Sequence, residues 1–254
     1  MYNNLFNIGP VTIHGYGTMI AIGILCALLV ASKRAKNKNL SIDIVSGLVL
    51  AVIIFGFIGA KLLYCIVEIK SIIASPILVL SGGGFVVYGG IIGGILAAMI
   101  YCKVKKVSFL QYFDLLVPSV AIAQGFGRIG CFLAGCCYGR ETDSPIGIIF
   151  LNSDFAPNGV KLLPTQLFSS AGDFLIAAVL ILFARRARNR GKVGALYLML
   201  YGVGRFIIEF FRDDYRGSIG ALSTSQFISL FILIAGIVLF CISKLPRFNE
   251  KIDG

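Results

Sequence analysis

Seven long apolar segments, separated by short stretches that hold most of the charge, constrain this chain more than any other feature. Each segment is long enough, or nearly so, to cross a hydrocarbon core about 30 Å thick as an α-helix. The segments cover residues 13–32, 45–66, 86–103, 115–135, 164–184, 193–211 and 223–243. Helices are the expected spanning element, because they satisfy their own backbone groups and no barrel-like alternation occurs. The sequence therefore predicts an all-α integral membrane protein of about seven transmembrane helices, with a single polytopic domain over residues 1–254.

The composition of the chain also indicates a membrane protein. Hydrophobic residues make up 57% of the chain and charged residues 14%, and the mean hydropathy is +0.90. Soluble domains carry about a quarter charged residues. The net charge of +11 does not indicate nucleic acid, because the basic residues flank apolar segments and no nucleic-acid-binding module is recognisable. A membrane with anionic lipids is the expected partner of these positive loops.

The distribution of basic residues between the loops predicts an orientation. Alternate loops and the C-terminal segment carry fifteen lysines and arginines: Lys33, Arg34, Lys36, Lys38, Lys103, Lys105, Lys106, Arg185, Arg186, Arg188, Arg190, Lys192, Lys244, Arg247 and Lys251. The other loops carry five: Lys70, Arg140, Lys161, Arg212 and Arg216. The positive-inside rule then predicts an N-terminus outside and a C-terminus in the cytoplasm. The long loop 138–163 lies outside in this topology, either as a cap over a site or as a plain connection.

Arg128 interrupts the fourth apolar segment, within a stretch that is rich in glycine. A buried arginine in a membrane helix costs at least about 2.5–3.5 kcal/mol on insertion scales, so it usually faces a cavity or a partner. Nearby glycines, including Gly127 and Gly139, permit close approach of a ligand or of another helix. Because a guanidinium group presents a planar fork of donors, it suits a phosphate. The alternative is a structural ion pair with a buried carboxylate.

A second arginine, Arg205, lies in the sixth segment, where Arg205, Glu209 and Arg212 share one helix face at i, i+4 and i+7. Glu209 can neutralise one arginine and leave the other available for an anion, or the group can be an internal salt bridge. Arg212 alone, at the helix end, is more typical of a side chain that snorkels to the interface. Asp114 and Asp173 are further carboxylates that either arginine could use as a counter-ion.

Other candidate residues lie near the outer ends of the first three predicted helices. Lys61 is either a ligand-binding residue or a snorkelling one. Tyr88 is followed by Gly89 and Gly90 in a glycine-rich run over residues 81–94, which predicts a tight bend and then a close-packed helix. The run is not a P-loop, because it lacks the Gly-Lys-Ser/Thr ending. Tyr16 is a candidate binding residue at the start of the first helix.

Three cysteines, Cys131, Cys136 and Cys137, follow Arg128 closely. Three sulfurs at a helix end could hold a soft metal, but the only histidine of the chain, His14, is distant in sequence, and no metal site is predicted. A reactive thiol is the second possibility, because a nearby arginine would lower its pKa. A disulfide framework is not expected.

In order and spacing these motifs resemble those of the bacterial prolipoprotein diacylglyceryl transferases. The family's signature is similar to the stretch Gly127-Arg128-Ile-Gly-x-Phe-x-x-Gly135. Further similar stretches extend over most of the chain: His14-Gly-Tyr16-Gly, Gly59-Ala-Lys61-Leu-Leu-Tyr64, Tyr88-Gly-Gly, Asp114, Pro164-Thr-Gln166-Leu-Phe168 and Gly204-Arg205-Phe-Ile-Ile-Glu209-Phe-Phe-Arg212. The resemblance agrees with the topology that the loop charges predict.

The resemblance implies a reaction at the bacterial cytoplasmic (inner) membrane. A diacylglyceryl group passes from phosphatidylglycerol to the lipobox cysteine thiol in the signal peptide of a prolipoprotein, and glycerol phosphate leaves. No metal or organic cofactor is implied. Together with the reasoning above, it predicts the catalytic residues Arg128, Arg205 and Tyr88. It also predicts eight substrate-binding residues: Tyr16, Lys61, Gly89, Gly90, Gly127, Gly139, Gln166 and Glu209.

Four positions depart from the family's usual residues. Tyr88 and Leu163 stand where histidines are usual, Cys131 replaces an asparagine, and Cys136 replaces a glutamate. A phenol is a poor general base at neutral pH because it stays protonated. The departures leave open a paralogue with the same lipid donor and another acceptor, a non-enzymatic lipid-binding or translocating protein, and a transferase with a covalent intermediate on Cys136 or Cys137.

Overall fold

The computed structural model describes residues 4–8, 11–74, 84–214, 217–220 and 222–243. The helices in this part of the chain are α1 Gly15–Asn37, α2 Ile42–Val67, α3 Ile69–Ala74, α4 Val87–Val104, α5 Phe109–Ala134, α6 Thr165–Phe183, α7 Lys192–Glu209 and α8 Thr224–Ile242. Three antiparallel strand pairs accompany them: β1 Asn4–Ile8 with β2 Val11–His14, β3 Ile148–Ile149 with β4 Lys161–Leu162, and β5 Ser218–Ile219 with β6 Leu222–Ser223.

The length and composition of these helices confirm the class of all-α membrane protein. Within the described residues, six helices are long and apolar enough to cross a membrane, namely α1, α2, α4, α5, α6 and α8. The sixth predicted segment coincides with α7, which carries Lys192, Arg205 and Glu209 among its 18 residues and is therefore more polar. Seven spans and the orientation of the termini stay predictions.

Two helices, α2 and α8, begin with a serine that caps the first turn. Ser41 accepts a hydrogen bond from the backbone N–H of Ile44 at the start of α2. Ser223 and Gln226 form a reciprocal capping box at the start of α8. These caps satisfy backbone donors that have no partner within the first helical turn.

The chain divides into two compact units, Ser32–Tyr112 and the combination of Met1–Ala31 with Phe113–Gly254. The boundaries fall inside α1 and α5, so both helices contribute to each unit. A single domain over residues 1–254 stays a prediction. Several sequence features lie outside the described residues: residues 81–83 of the glycine-rich run, where the bend is predicted, and the basic residues Arg216, Lys244, Arg247 and Lys251.

Close packing of α2 on α4 defines the Ser32–Tyr112 unit. A Cβ atom on Gly59 would clash with the carbonyl oxygen of Gly89, and one on Gly93 would clash with that of Phe55. Glycine lets the two backbones approach, which is how helices commonly associate in lipid. The predicted close-packed helix after the glycine run is confirmed.

In the other unit α5, α6 and α7 surround a small apolar core, and α8 packs against α7. This core includes Val117, Leu180 and Val193. Ser170 of α6 donates a hydrogen bond of 2.9 Å to the carbonyl of Gly125 on α5. Such an interhelical bond satisfies a hydroxyl that would otherwise be unpaired in an apolar interior. The packing places Arg128 of α5 and Arg205 of α7 in the same unit.

The loop 138–163 has a folded interior of its own. Phe150 is completely buried and packs with Ala156 and Leu162. The strands β3 and β4 pair within this loop, and Glu141 forms an additional bridge to Leu162. The loop is therefore held by burial and backbone pairing, and its action as a cap over a site stays a prediction.

Candidate functional site

Arg128 and Arg205 line one cavity of about 180 Å³ between α5, α6 and α7. The remaining lining residues are Phe168, Ser169, Gly172, Asp173, Ile176, Tyr201, Gly204, Ile207 and Ile208. Two guanidinium groups, a phenol and a carboxylate thus meet apolar side chains in one small space. This combination suits an anionic headgroup with attached hydrocarbon. The structure brings together the two arginines that the sequence proposes as a pair.

Arg205 is held in place by its neighbours on α7 and α8. Its Nη1 atom lies 2.6 Å from Oε2 of Glu209, and its Nη2 atom donates to the Ser225 hydroxyl at 2.7 Å. Ser223 donates to the other oxygen of Glu209 at 2.9 Å. The predicted i,i+4 pair therefore exists, and it fixes the direction in which the guanidinium points.

Arg128 interacts with an acidic side chain on another helix. Its guanidinium interacts electrostatically with Asp173 of α6, with Tyr201 of α7 and with the thiols of Cys131 and Cys137. Asp173 is only 7% exposed, so the charges are poorly screened by solvent. The structure thus places Asp173 beside Arg128. From the sequence alone, Asp173 could be the counter-ion of either arginine.

Asp114, on α5, reaches the start of α7. Its two carboxylate oxygens accept hydrogen bonds from the backbone N–H groups of Gly191 and Gly194, each of 2.7 Å. A carboxylate at a helix N-terminus satisfies unpaired donors and interacts favourably with the helix dipole. Asp114 therefore anchors the helix that carries Arg205.

Tyr201 lines the cavity but is not among the site residues predicted from the sequence. It lies one turn before Arg205 on α7, so the helical period alone could have placed it on the same face. Its ring stacks on that of Tyr197 with centroids 5.8 Å apart. Tyr197 in turn donates a hydrogen bond of 2.9 Å to Gln124 of α5. These contacts, through Tyr197 to Gln124, hold the phenol of Tyr201 beside Arg128.

Two predicted substrate-binding residues meet at the turn that follows α5: Gly139 lies in it, and Gln166 contacts it from the start of α6. A Cβ atom on Gly139 would clash with the carbonyl oxygens of Leu163 and Phe211, so three backbone segments meet here. Gln166 is 1% exposed and donates a hydrogen bond of 2.8 Å to the carbonyl of Cys136. Both residues hold the turn, and contact with a substrate stays a prediction for them.

Tyr16 and Gly127 lie closer to Arg128. The ring of Tyr16 packs against Gly130 of α5, and its phenol interacts electrostatically with Arg128 and with the three cysteines. A Cβ atom built on Gly127 meets nothing within 4 Å in the described residues. There is consequently room for another group to approach α5 at this position.

Arg212 does not snorkel, so that prediction is wrong. Its side chain is 3% exposed, and its Nε and Nη2 atoms donate to the two oxygens of Asp214 at 2.8 and 2.6 Å. Burial alone lowers the pKa of Arg212, but the hydrogen bonds to Asp214 outweigh it and the pKa lies above its ordinary value. After α7 the chain turns back and brings Asp214 to Arg212. A continued straight helix would not allow this contact.

The thiols of Cys131, Cys136 and Cys137 come together, with their sulfur atoms within 4.8 Å of one another. Hydrogen bonds with Cys131 and with Cys137 raise the pKa of the Cys136 thiol well above its ordinary value, and the bond with Cys131 has the larger effect. Burial raises this pKa further. The prediction that a nearby arginine makes this thiol acidic and reactive is wrong for Cys136. A protonated thiol is a weak nucleophile, which counts against a covalent intermediate there.

The remaining predicted residues, Lys61, Tyr88, Gly89 and Gly90, belong to the Ser32–Tyr112 unit. The Nζ atom of Lys61 lies 5.1 Å from the ring centroid of Tyr64 and 5.3 Å from that of Phe85. Both glycines face α2, and Tyr88 is 41% exposed near the start of α4. Their roles with a substrate stay predictions.

A second cavity, of about 350 Å³, lies between α2 and α4. The side chains that line it are apolar except for the phenol of Tyr101, as far as the described residues show. This cavity offers no charge to a phosphate, so the arginine cavity is the better candidate site.

The fold and the arginine cavity define a class: a polytopic helical membrane protein with paired arginines facing a small cavity. Residues 3–242 match the family described as prolipoprotein diacylglyceryl transferase. The chain belongs to this family.

Individual relatives are similar over nearly their whole length. A phosphatidylglycerol–prolipoprotein diacylglyceryl transferase from Clostridium tetani is 53% identical over 97% of this chain and 98% of the relative. Two such proteins from Clostridium perfringens, numbered 2 and 1, are 48% and 37% identical over 94% and 98% of this chain, and over 94% and 97% of their own lengths.

Proposed function

We propose that the chain transfers a diacylglyceryl group from phosphatidylglycerol to the lipobox cysteine thiol of a prolipoprotein signal peptide and releases glycerol phosphate. The similar proteins from two clostridial species carry names that state this donor and acceptor. The observation that carries the proposal is the cavity shared by Arg128 and Arg205. A lipid phosphate is the anion that such a site, among membrane helices, would meet in highest concentration.

The proposed reaction requires charge stabilisation at the leaving group. The acceptor sulfur attacks the glyceryl carbon that carries the phosphate, a thioether bond forms, and the carbon–oxygen bond to phosphate breaks. The bonding electrons leave with glycerol phosphate, and the thiol proton passes to a base. Guanidinium groups fixed before the reaction can stabilise this negative charge without reorganising. Glu209 and Ser225 hold Arg205 in this way.

Asp173 and Tyr201 have separate roles in the proposed site. Both line the cavity and both interact electrostatically with Arg128. We place the phosphate between Arg128 and Arg205, with Tyr201 as a hydrogen-bond donor to one of its oxygens. Asp173 then orients Arg128 and limits the positive charge of the empty cavity. The apolar residues Phe168, Ile176 and Ile208 would contact the acyl chains or the glyceryl backbone.

The proposed location is the bacterial cytoplasmic (inner) membrane, crossed seven times, with the N-terminus outside. In this topology α7 spans the membrane even though it carries Arg205 and Glu209, because these side chains pair with each other and face the protein interior. The loop 138–163 then lies outside as a cap, where a signal peptide could approach. Proximity of lipid and acceptor in one cavity supplies part of the rate enhancement.

The direct test uses the full chain purified in phosphatidylglycerol-containing nanodiscs, a labelled lipid donor and a lipobox peptide. The expected products are a peptide with a diacylglyceryl thioether, detected by mass spectrometry, and an equal amount of glycerol phosphate. A lipobox peptide with serine in place of cysteine is the matched control and should remain unmodified.

The outcomes separate the alternatives. Glycerol phosphate released only after addition of cell extract, with an unmodified peptide, would indicate another acceptor. Lipid binding without either product would indicate a non-enzymatic lipid-binding or translocating protein. Complementation of a strain that lacks its own diacylglyceryl transferase tests the same activity in cells, and failure there together with failure in vitro would overturn the proposal.

A further inference from the structure

We propose that Cys131, Cys136 and Cys137 form a binding site for a thiophilic divalent cation of the Zn²⁺ class. Their sulfur atoms lie within 4.8 Å of one another, at the junction between α5 and the loop that follows it. We call these residues the three-thiol cluster. Metal binding at this cluster would be a property separate from diacylglyceryl transfer, because it requires neither the lipid donor nor the acceptor peptide.

The way α5 ends explains why two of the thiols meet. The backbone N–H of Cys136 donates to the carbonyl of Cys131 at 3.1 Å, and that of Gly135 donates to Phe132 at 3.1 Å. Gly135 between them has a φ of +77°. This is a Schellman motif, in which the residues that correspond to Cys131 and Cys136 come into side-chain contact across the last turn. The helix end therefore pre-arranges one pair of sulfur ligands.

Cys137 completes the cluster through an unusual backbone conformation. Its φ is +63°, a left-handed conformation that costs about 1–2 kcal/mol for a residue other than glycine. Neighbouring side chains hold this turn: Thr165 donates to the Cys137 carbonyl at 2.9 Å, and Gln166 donates to the Cys136 carbonyl at 2.8 Å. Strained residues persist only where the surroundings determine them, and they are concentrated at functional sites.

Two guanidinium groups interact with the three-thiol cluster. Arg212 forms a hydrogen bond to the Cys137 side chain, and Arg128 interacts electrostatically with Cys131 and Cys137. Tyr16 also faces the three sulfurs. Binding of a divalent cation to three thiols releases three protons and leaves one negative charge, which the two guanidinium groups can balance. A monovalent cation would leave two negative charges in the same partly buried place, so the divalent ion suits this site better.

The donor set also matches the chemistry of this ion. Thiolate sulfur is a preferred ligand of Zn²⁺, with a Zn–S distance of about 2.3 Å and tetrahedral geometry, which places sulfur ligands about 3.8 Å apart. The cluster has to contract by about 1 Å at most, a change within reach of side-chain rotation. Three protein ligands leave one position of the tetrahedron for water.

The test measures metal binding by the full-length protein in detergent, reduced and stripped of metal with a chelator. After incubation with Zn²⁺ and removal of unbound ion, elemental analysis should find about one zinc per chain. Single variants Cys131→Ser, Cys136→Ser and Cys137→Ser should each weaken binding at least tenfold against a chromogenic chelator. Cys102→Ser and Cys241→Ser, which lie outside the cluster, are the matched controls and should retain full binding.

A second measurement avoids any folding defect of the serine variants. In the wild-type protein, Zn²⁺ should protect Cys131, Cys136 and Cys137 from alkylation, as read by mass spectrometry, and leave the exposed Cys241 unprotected. No retained zinc, equal zinc in the triple serine variant, or alkylation of the cluster that is unchanged by Zn²⁺ would overturn the proposal. A disulfide within the cluster after purification under reducing conditions would overturn it too.

Discussion

Arg205 and Glu209, one turn apart on α7, form an ion pair with 2.6 Å between Nη1 and Oε2, and the two side chains are only 11% and 8% exposed. The pair is secured from the start of α8, where Ser225 contacts the arginine and Ser223, the residue before the helix, contacts the glutamate. A charge pair in such surroundings is held rigidly, since loss of either partner leaves an uncompensated buried charge. This rigidity is what an anion site needs before its ligand arrives.

The substitution Glu209→Gln tests the pair. It should lower the free energy of unfolding by about 3–5 kcal/mol, because Arg205 stays buried without its counter-ion. The measurement is thermal unfolding in detergent, with Glu141→Gln in the loop 138–163 as an exposed control. The double variant Arg205→Gln, Glu209→Gln should be more stable than Glu209→Gln alone. Equal stability of Glu209→Gln and the wild type would show that the pair does not hold α7.

Replacement of Arg128 by glutamine tests the central site assignment. Loss of one preorganised donor to a developing charge typically lowers the turnover number about a hundredfold to a thousandfold. The transfer assay with labelled phosphatidylglycerol and a lipobox peptide measures this change. Arg140→Gln, at an exposed arginine in the following loop, is the matched control and should have wild-type activity. Wild-type turnover by Arg128→Gln would remove Arg128 from the mechanism.

Asp114→Asn tests how α7 is anchored. The carboxylate accepts from the N–H groups of Gly191 and Gly194, whereas an amide presents one acceptor and one donor group to the same two donors. We expect a loss of about 1–3 kcal/mol in the free energy of unfolding, since one buried N–H loses its partner. Asp143→Asn, at an exposed position of the loop 138–163, should unfold like the wild type. If both variants unfold alike, the carboxylate does not stabilise the start of α7.

The pH dependence of Cys136 can be predicted in the metal-free protein. Hydrogen bonds with Cys131 and Cys137 raise the pKa of the folded thiol above its ordinary value of 9.0. The folded state therefore keeps the proton to higher pH than the unfolded chain. This contribution to stability is complete below pH 9.0 and is lost as the pH rises further.

Alkylation rates at several pH values measure the ionisation of Cys136. Unfolding temperatures over the same pH range measure its contribution to stability. The rate of iodoacetamide labelling at Cys136 should rise only at a pH above the usual thiol range. In a Cys131→Ala, Cys137→Ala variant the same rise should occur at lower pH, because both side-chain hydrogen-bond partners are gone. Identical pH profiles in the two proteins would contradict the assignment. Transfer activity of a Cys136→Ala, Cys137→Ala variant is expected to persist, since a protonated thiol is a poor covalent nucleophile.

The positions of the helices could be predicted because apolar runs and loop charges are local properties of the sequence. Every predicted segment coincides with a helix in the described residues, with ends displaced by a few residues. The i,i+4 pair of Arg205 and Glu209 was predictable for the same reason. The partners of Asp114 and Asp173 were not, because they depend on which helices pack together. Arg212 was misjudged because its partner, Asp214, lies in a turn whose direction the helical period does not describe.

Two glycines that line the arginine cavity allow a test of its size without any change in charge. A Cβ atom on Gly172 or on Gly204 meets nothing within 4 Å in the described part of the chain, so alanine fits without a clash and occupies space in the cavity. Alanine in place of glycine within a helix stabilises it by about 0.5–1 kcal/mol. We therefore expect both variants to unfold at or above the wild-type temperature.

Activity should change in the opposite direction from stability. Gly204→Ala, next to Arg205, should raise the KM for phosphatidylglycerol, because the added methyl group competes with the headgroup for a cavity of only about 180 Å³. Gly17→Ala on α1 adds the same methyl group where nothing lies within 4 Å and no cavity residue is involved, so it should gain stability without a change in KM. An unchanged KM in both cavity variants would mean that the headgroup binds elsewhere, since a methyl group cannot enter an occupied 180 Å³ space without displacing part of the ligand.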